Sequence, residues 1–410
     1  MILNYIWIAF FIIAFVVGLV KLIFLGDAKV FPDMVNATFD MSKTGFEIAL
    51  FLTGILSLWM GLLKIGENAG IIKVFSKLFG PFFQKLLPEV PKDHPVFGFI
   101  LMNFSANLLN LDNAATPMGL KAMTELQTLN PKKDTASNAQ IMFMIINSGG
   151  LTLIPMTVMA YRAQGGAADP SDIFLPILLA TSASTFVGVL IVSLIQKINL
   201  FNRVILAYGG GFFLLIAGFI YYLMQLSQEE IGVVSSIVSN LILFSIIISF
   251  ILLAVIKKIN VYDSFIEGAK DGFGVAVTII PYIVAILVGI GVFRASGALN
   301  ILEQGFAYVF GALGMNTDWI PALPTALMKP LSGSGARGLM LETMSTHGAD
   351  SFVGKVVSAI QGSTDTTLYG IAVYFGAVNI SRTRYVAAVG LFGDFIGLVT
   401  AILLSYLFFH

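Results

Sequence analysis

Asp365 stands in the string QGSTDTT (361–367), inside an apolar run that covers 352–376. An ionisable group at that depth in hydrocarbon costs about 2.5–3.5 kcal/mol on insertion scales, so it is expected to face a cavity or a partner and to mark a path for a solute or ion. Around it Gln361, Ser363, Thr364 and Thr366 add oxygens, and a second apolar run, 139–161, carries Asn147, Ser148 and Thr152 at similar depth. Neutral oxygens of this kind, beside unwound backbone carbonyls, are the material of Na+ coupling sites.

Two further strings suit an anion. In LDNAATPMG (111–119), Thr116 followed by Pro117 predicts a helix start, because threonine caps free amides and proline lacks the amide that would go unpaired. Asn107, Asn110, Asp112 and Asn113 crowd the turn before it. PLSGSGARG (330–338) offers Ser332, Ser334, Gly335 and Arg337 at the equivalent place, with a helix expected from near Ala336. Two half-helix N-termini and one guanidinium would hold a carboxylate, a phosphate or another electron-rich group. Plainer readings stand beside these. Asp112 or Asp365 would neutralise Arg337 as a buried structural pair; Gly149, Gly150, Gly362 and Ser363 would only let helices approach; lone Ser and Thr would bond their own backbone. Polar groups that recur at corresponding positions in two halves of a chain are nevertheless hard to explain by packing alone.

Enzyme chemistry finds little footing. GSGARG (333–338) fits the G-x-G-x-x-G pattern, but no strand precedes it. Tyr262–Asp263 with LFGD (391–394) is reminiscent of an intramembrane aspartyl protease pair, yet Leu391 stands where that motif needs glycine. Ser332 and Ser334 lack a histidine at mid-depth to act as general base. There are no cysteines, and His94, His347 and His410 make no metal-ligand spacing, so no catalysis, cofactor or metal centre is expected. Zero net charge gives no case for nucleic acid.

The elements that must position these groups are membrane helices. With 57% hydrophobic and 11% charged residues, the chain has too little polar surface to cover a soluble globule of 410 residues. Spans are predicted near 5–25, 44–63, 139–161, 171–196, 203–226, 232–256, 270–293, 352–376 and 384–408, about nine in all. The first lacks a basic leader and a small-residue cleavage site, and is expected to be retained. Residues 95–127 and 319–347 are apolar but interrupted by the two polar strings. Their arms are too short to cross a core of about 30 Å, which predicts re-entrant helical hairpins.

Charge placement supports this scheme. With the Lys197–Arg203 and Lys257–Lys258 turns cytoplasmic, alternation also puts Lys64, Lys73, Lys77, Lys85, Lys92, Lys132, Lys133, Arg382 and Arg384 inside, and the loop with Asp169 and Asp172 outside. The N-terminus is then cytoplasmic and the C-terminus external. GENAGIIK (66–73) follows one span as FRASGALN (293–300) follows another, and IINSGGLTLIPMTVMAY (145–161) matches AIQGSTDTTLYGIAVYF (359–375). This predicts a first repeat over 1–200, a linking helix within 201–231 and a second repeat over 232–410. An odd linking span inverts the second copy, the architecture of secondary transporters.

NAATPMGLKAM (113–123) with ANLLNLD (106–112) resembles the signature of the spore maturation protein A family. PLSGSGARG (330–338) with QGSTDTTLYGIAVYFGAVNISRTRY (361–385) resembles that of spore maturation protein B. Both belong to the nucleoside recognition, or Gate, group, named for its similarity to concentrative nucleoside transporters. The resemblance implies an all-α polytopic membrane protein similar to the nucleoside transporter core, in the bacterial cytoplasmic membrane, and by analogy a homo-oligomer. It also implies a sodium site from the first hairpin tip and the next span, for which Asn107 or Asn110 with Asn147 and Ser148 are the candidates. Arg337 departs from that transporter pattern. The expected function is a transporter or permease for a small polar or anionic solute, coupled to Na+ or H+, binding between the hairpin tips. The alternative is a non-transporting membrane scaffold or regulator in spore or envelope maturation.

Overall fold

The computed structural model describes residues 2–110 and 112–410, except for the side chains of residues 2, 3, 112–114, 228 and 229. Among these residues the chain is helical. Seven helices are long and apolar enough to cross a membrane, which makes this a membrane protein with a lipid bilayer around it.

The helices form two sets in the same order. The first is α1 (Ile2–Leu25), α2 (Val30–Asn68), α3 (Ile71–Leu86), α4 (Val96–Leu108), α5 (Asp112–Leu129), α6 (Asn138–Ser148), α7 (Met156–Gln164) and α8 (Phe174–Ile195). A single helix, α9 (Arg203–Leu223), follows. The second set is α10 (Gln228–Ile256), α11 (Val261–Ala295), α12 (Ala298–Ala312), α13 (Leu323–Met328), α14 (Gly333–His347), α15 (Phe352–Gly362), α16 (Thr367–Ala377) and α17 (Val386–Phe409). Each element of the first set has its counterpart nine places on. The turns agree too: α2 and α11 both end at a glycine in the left-handed region, Gly70 (φ 77°) and Gly297 (φ 86°), where a side chain would be strained.

The two sets interlock. Lys257, just past α10, donates from Nζ to the Ala69 carbonyl at 2.5 Å and so closes the α2–α3 turn of the first set. Lys21, on α1, reaches the Gly297 turn of the second. At the centre α2 and α11 cross in close contact. A Cβ on Gly272 would lie 2.7 Å from the Leu56 carbonyl oxygen and the Ser57 Cα, and one on Gly61 would lie 2.6 Å from the Phe265 ring. Only small residues permit this approach, and in lipid, where apolar burial drives little association, such packing is what holds helices together.

Two predicted spans are not continuous. The run 139–161 is divided into α6 and α7, and the run 352–376 into α15 and α16. After Ser148 the chain meets Gly149 and Gly150 (φ 63°), and Pro155 supplies no amide to continue the helix. At the second break, the Ser363 hydroxyl donates to the Ile360 carbonyl at 2.8 Å and so competes for the backbone. Conversely, α2 and α11, with 39 and 35 residues, run well past the predicted 44–63 and 270–293.

A charged network ties the two sets at one end. Arg162 is completely buried; it donates from Nη1 to the Ala349 carbonyl (2.7 Å), and its Nη2 lies 2.9 Å from Asp172 and 3.4 Å from Asp350. Lys355 reaches the other oxygen of Asp172 at 3.2 Å. Next to it, Asp169 accepts from Ser171, Ser236 and Asn240, fastening the α7–α8 loop to α10.

Candidate functional site

The crossing of α2 and α11 forms one wall of a cavity of about 380 Å³, within the range of small-molecule sites. Lys64 and Glu67 from α2 and Asp271 from α11 line it, together with Tyr161 from α7. Asn110, at the tip between α4 and α5, and Arg337, in the first turns of α14, meet there from opposite halves of the chain. Lys64 is held between Glu67 (3.2 Å) and Glu267 (3.3 Å). Arg337 donates from Nε to the Gly333 carbonyl of its own helix at 3.4 Å, and among the described residues no carboxylate lies within 4 Å of it. The expected Asp365–Arg337 pair is therefore absent, while the side chains of Asp112 and Asn113 lie outside the described residues. The guanidinium of Arg337 and the exposed carboxylate of Asp271, both on its wall, give the cavity both signs of charge.

Beside the cavity the two helix breaks meet. The Leu153 amide, freed by the first break, donates to the Leu108 carbonyl at the first tip (2.7 Å), and the Leu368 amide, at the second break, donates to the Pro330 carbonyl at the second tip (3.2 Å). The breaks also touch each other, with the Asp365 amide donating to the Ser148 carbonyl at 3.1 Å. Tertiary partners thus satisfy backbone groups that an unbroken helix would satisfy itself, which lets irregular backbone persist in a membrane interior.

The other sequence candidates sort around this seam. Asn107 donates from Nδ2 to Asn147 Oδ1 at 2.8 Å, joining α4 to α6, and Asn147 donates to the Phe143 carbonyl. Ser148 and Thr152 bond their own backbone, at Ile145 and Gly150. Gln361 and Thr364 are buried, and Gln361 Oε1 and Thr364 Oγ1 have no hydrogen-bond partner among the described residues. Asp365 is exposed, its Oδ1 accepting from the Thr366 amide at 2.7 Å. Ser332 caps α14 by accepting from the Gly335 amide at 3.1 Å, so that helix begins at Gly333 and not near Ala336. Ser334 lies 3.3 Å from the Ser332 hydroxyl. Thr116 is exposed within α5, which already begins at Asp112 and not at Thr116.

The family model described as "Nucleoside recognition" (Gate) matches residues 49–165 and 276–381, more than half of the chain. The chain belongs to the Gate family. The matched segments cover the same elements in both sets, from within α2 to the end of α7 and from within α11 to just past α16. Spore maturation protein B of Bacillus subtilis (strain 168) is 44% identical over 171 residues, which is 42% of this chain and 94% of that protein. Spore maturation protein A of the same organism is 39% identical over 188 residues, 46% of this chain and 92% of its own length.

Several residues of this Gate protein were passed over in the sequence. Lys64 and Glu67 read as loop charges because the expected span 44–63 stops short of the end of α2, whereas Asp271 falls at the edge of the expected span 270–293. Asp394 carries the same signal as Asp365, a lone carboxylate in an apolar run, and was set aside with the protease motif.

Proposed function

We propose that this Gate protein is a transporter or permease for a small polar or anionic solute, bound in the cavity between Asn110 and Arg337. The observation that carries this reading is that Asn110, between α4 and α5, and Arg337, in the first turns of α14, line one cavity together with Lys64 and Asp271. The Arg337 guanidinium suits a carboxylate, phosphate or other electron-rich group, and Asp271 suits a donor on the same solute. The discontinuous helices beside the cavity support the same reading, since broken helices surround the substrate sites of inverted-repeat transporters.

On this reading α4–α5 and α13–α14 are re-entrant hairpins, and residues 1–200 and 232–410 are inverted repeats, related to spore maturation proteins A and B respectively and joined by a linking helix within 201–231. The protein sits in the cytoplasmic membrane with its N-terminus inside and C-terminus outside, so the cavity end carrying Lys64 and Glu67 faces the cytoplasm. Coupling to Na+ or H+ and self-association belong to the same proposal. The test is a thermal-shift screen of the purified protein against nucleosides, carboxylates and phosphates. A solute at a hundredfold excess over its Kd adds about 2.7 kcal/mol of stability. The gain is expected for the parent and not for Arg337→Ala; an equal gain in both would remove Arg337 from the site.

A further inference from the structure

A second polar centre lies on the buried face of α17, and the cavity does not use it. Asp394 is the lone charged residue of that helix and is 1% exposed. Its Oδ1 accepts from Thr367 Oγ1 at 2.9 Å, while Oδ2 has no partner among the described residues. Gly390, Gly393 and Gly397 occupy the turns around it and leave room for oxygens to approach. A Cβ on Gly393 would stand 3.6 Å from Ser184 Oγ of α8, and one on Gly397 would stand 3.0 Å from the Ser363 carbonyl and 2.5 Å from the Thr364 methyl. Ser184 and Thr364 are 1% and 4% exposed, and neither hydroxyl has a partner of acceptable geometry among the described residues. Thr364 is close enough to act on the Asp394 carboxylate, and Lys329 and Asp365 act on it with opposite signs.

Each buried polar group left unpaired costs about 1–3 kcal/mol, more where it is charged. Here several converge on one spot: a carboxylate oxygen, two hydroxyls and a carbonyl at a helix break. That is the ligand set of a small hard cation. Asp394 brings one negative charge to the spot, which a monovalent ion matches and a divalent ion exceeds.

We propose that Asp394 Oδ2, Ser184 Oγ, Thr364 Oγ1 and the Ser363 carbonyl form a Na+ site between α8, α17 and the α15–α16 break. The site rests on these contacts and goes beyond the solute cavity, so it stands or falls without any transport assay.

The test is thermal unfolding of the full chain in detergent, titrated with NaCl against choline chloride at constant ionic strength, with KCl and pH varied separately. Na+ is expected to raise the melting temperature with the logarithm of its concentration, and radiolabelled Na+ to bind saturably. Thr364→Val and Ser184→Ala should each raise the half-saturating Na+ concentration about tenfold, equivalent to about 1.4 kcal/mol of binding. Asp394→Asn should abolish the response; if that variant does not fold, the two hydroxyl variants carry the test. Three results overturn the site: stability that follows ionic strength alone, stability that follows pH with no Na+ term, or Na+ stabilisation unchanged in both hydroxyl variants.

Discussion

Substituting Gly272 by alanine adds one methyl group at the point where α11 crosses α2, which is also a wall of the cavity. The new Cβ would sit 2.7 Å from the Leu56 carbonyl oxygen and the Ser57 Cα, whereas ordinary contact begins at 3.4 Å, so the two backbones must separate by 0.7 Å. Both neighbours are main-chain atoms and cannot rotate aside. Overpacking of this kind costs about 1–3 kcal/mol. Alanine also favours a helix over glycine by about 0.8–1 kcal/mol, which masks part of the loss. Gly274, two residues along the same helix, removes that ambiguity, because nothing lies within 4 Å of its Cβ position and Gly274→Ala gains the propensity without the clash. Gly272→Ala should therefore be about 1–3 kcal/mol less stable than Gly274→Ala in thermal unfolding followed by tryptophan fluorescence. It should also weaken ligand stabilisation, since Asp271 and Met60 move with the crossing. If the two variants melt at the same temperature, the close α2–α11 crossing, and with it the cavity wall, is wrong.

Arg162→Met should destabilise the protein by about 3 kcal/mol, the low end for one member of a buried ion pair, because Lys355 remains on Asp172; melting temperatures of Arg162→Met and the Arg162→Met/Asp172→Asn double variant measure the coupling. Burial pushes the Asp169 carboxyl up, but the hydrogen bonds from Ser171, Ser236 and Asn240 outweigh it and hold its pKa below 3.8. Its contribution is thus fully present above 3.8 and fades as pH falls through the lower folded value. The stability gap between the parent and Asp169→Asn should be constant near neutrality and close on acidification below 3.8; a gap independent of pH would show that the carboxylate does not fasten the α7–α8 loop to α10.

The order of the long helices and of the polar strings between them was legible because it rests on local signals. Glycines at 70 and 297 end long helices, lysines flank the spans, and the polar strings at 111–119 and 330–338 fall at equivalent places. The helix breaks were not legible, since hydropathy runs on through 139–161 and 352–376. What stabilises each break is a partner far away in sequence, such as Leu108 for the Leu153 amide and Pro330 for the Leu368 amide. That misreading moved the expected chemistry. Asp365 was placed deep in a continuous span, but at the break it is exposed, and the lone carboxylate buried in an apolar helix is Asp394. Lys64 and Glu67 escaped notice for the opposite reason: α2 extends beyond the expected span 44–63, carrying charges from an expected loop onto the cavity wall, where Asp271, at the edge of the expected span 270–293, also lies. Arg337, which lines the cavity, stood out in the sequence because a guanidinium in a glycine-rich string of a membrane protein has no cheap alternative use.

The absence of native cysteines makes alternating access directly measurable. Single cysteines at Asn110 and Thr157, both on the cavity, can be labelled with a membrane-impermeant maleimide from either face of the membrane in oriented vesicles. A transporter predicts that each position reacts from both faces, with solute or Na+ shifting the balance between them. Reaction from one face alone under every condition would contradict transport through this cavity.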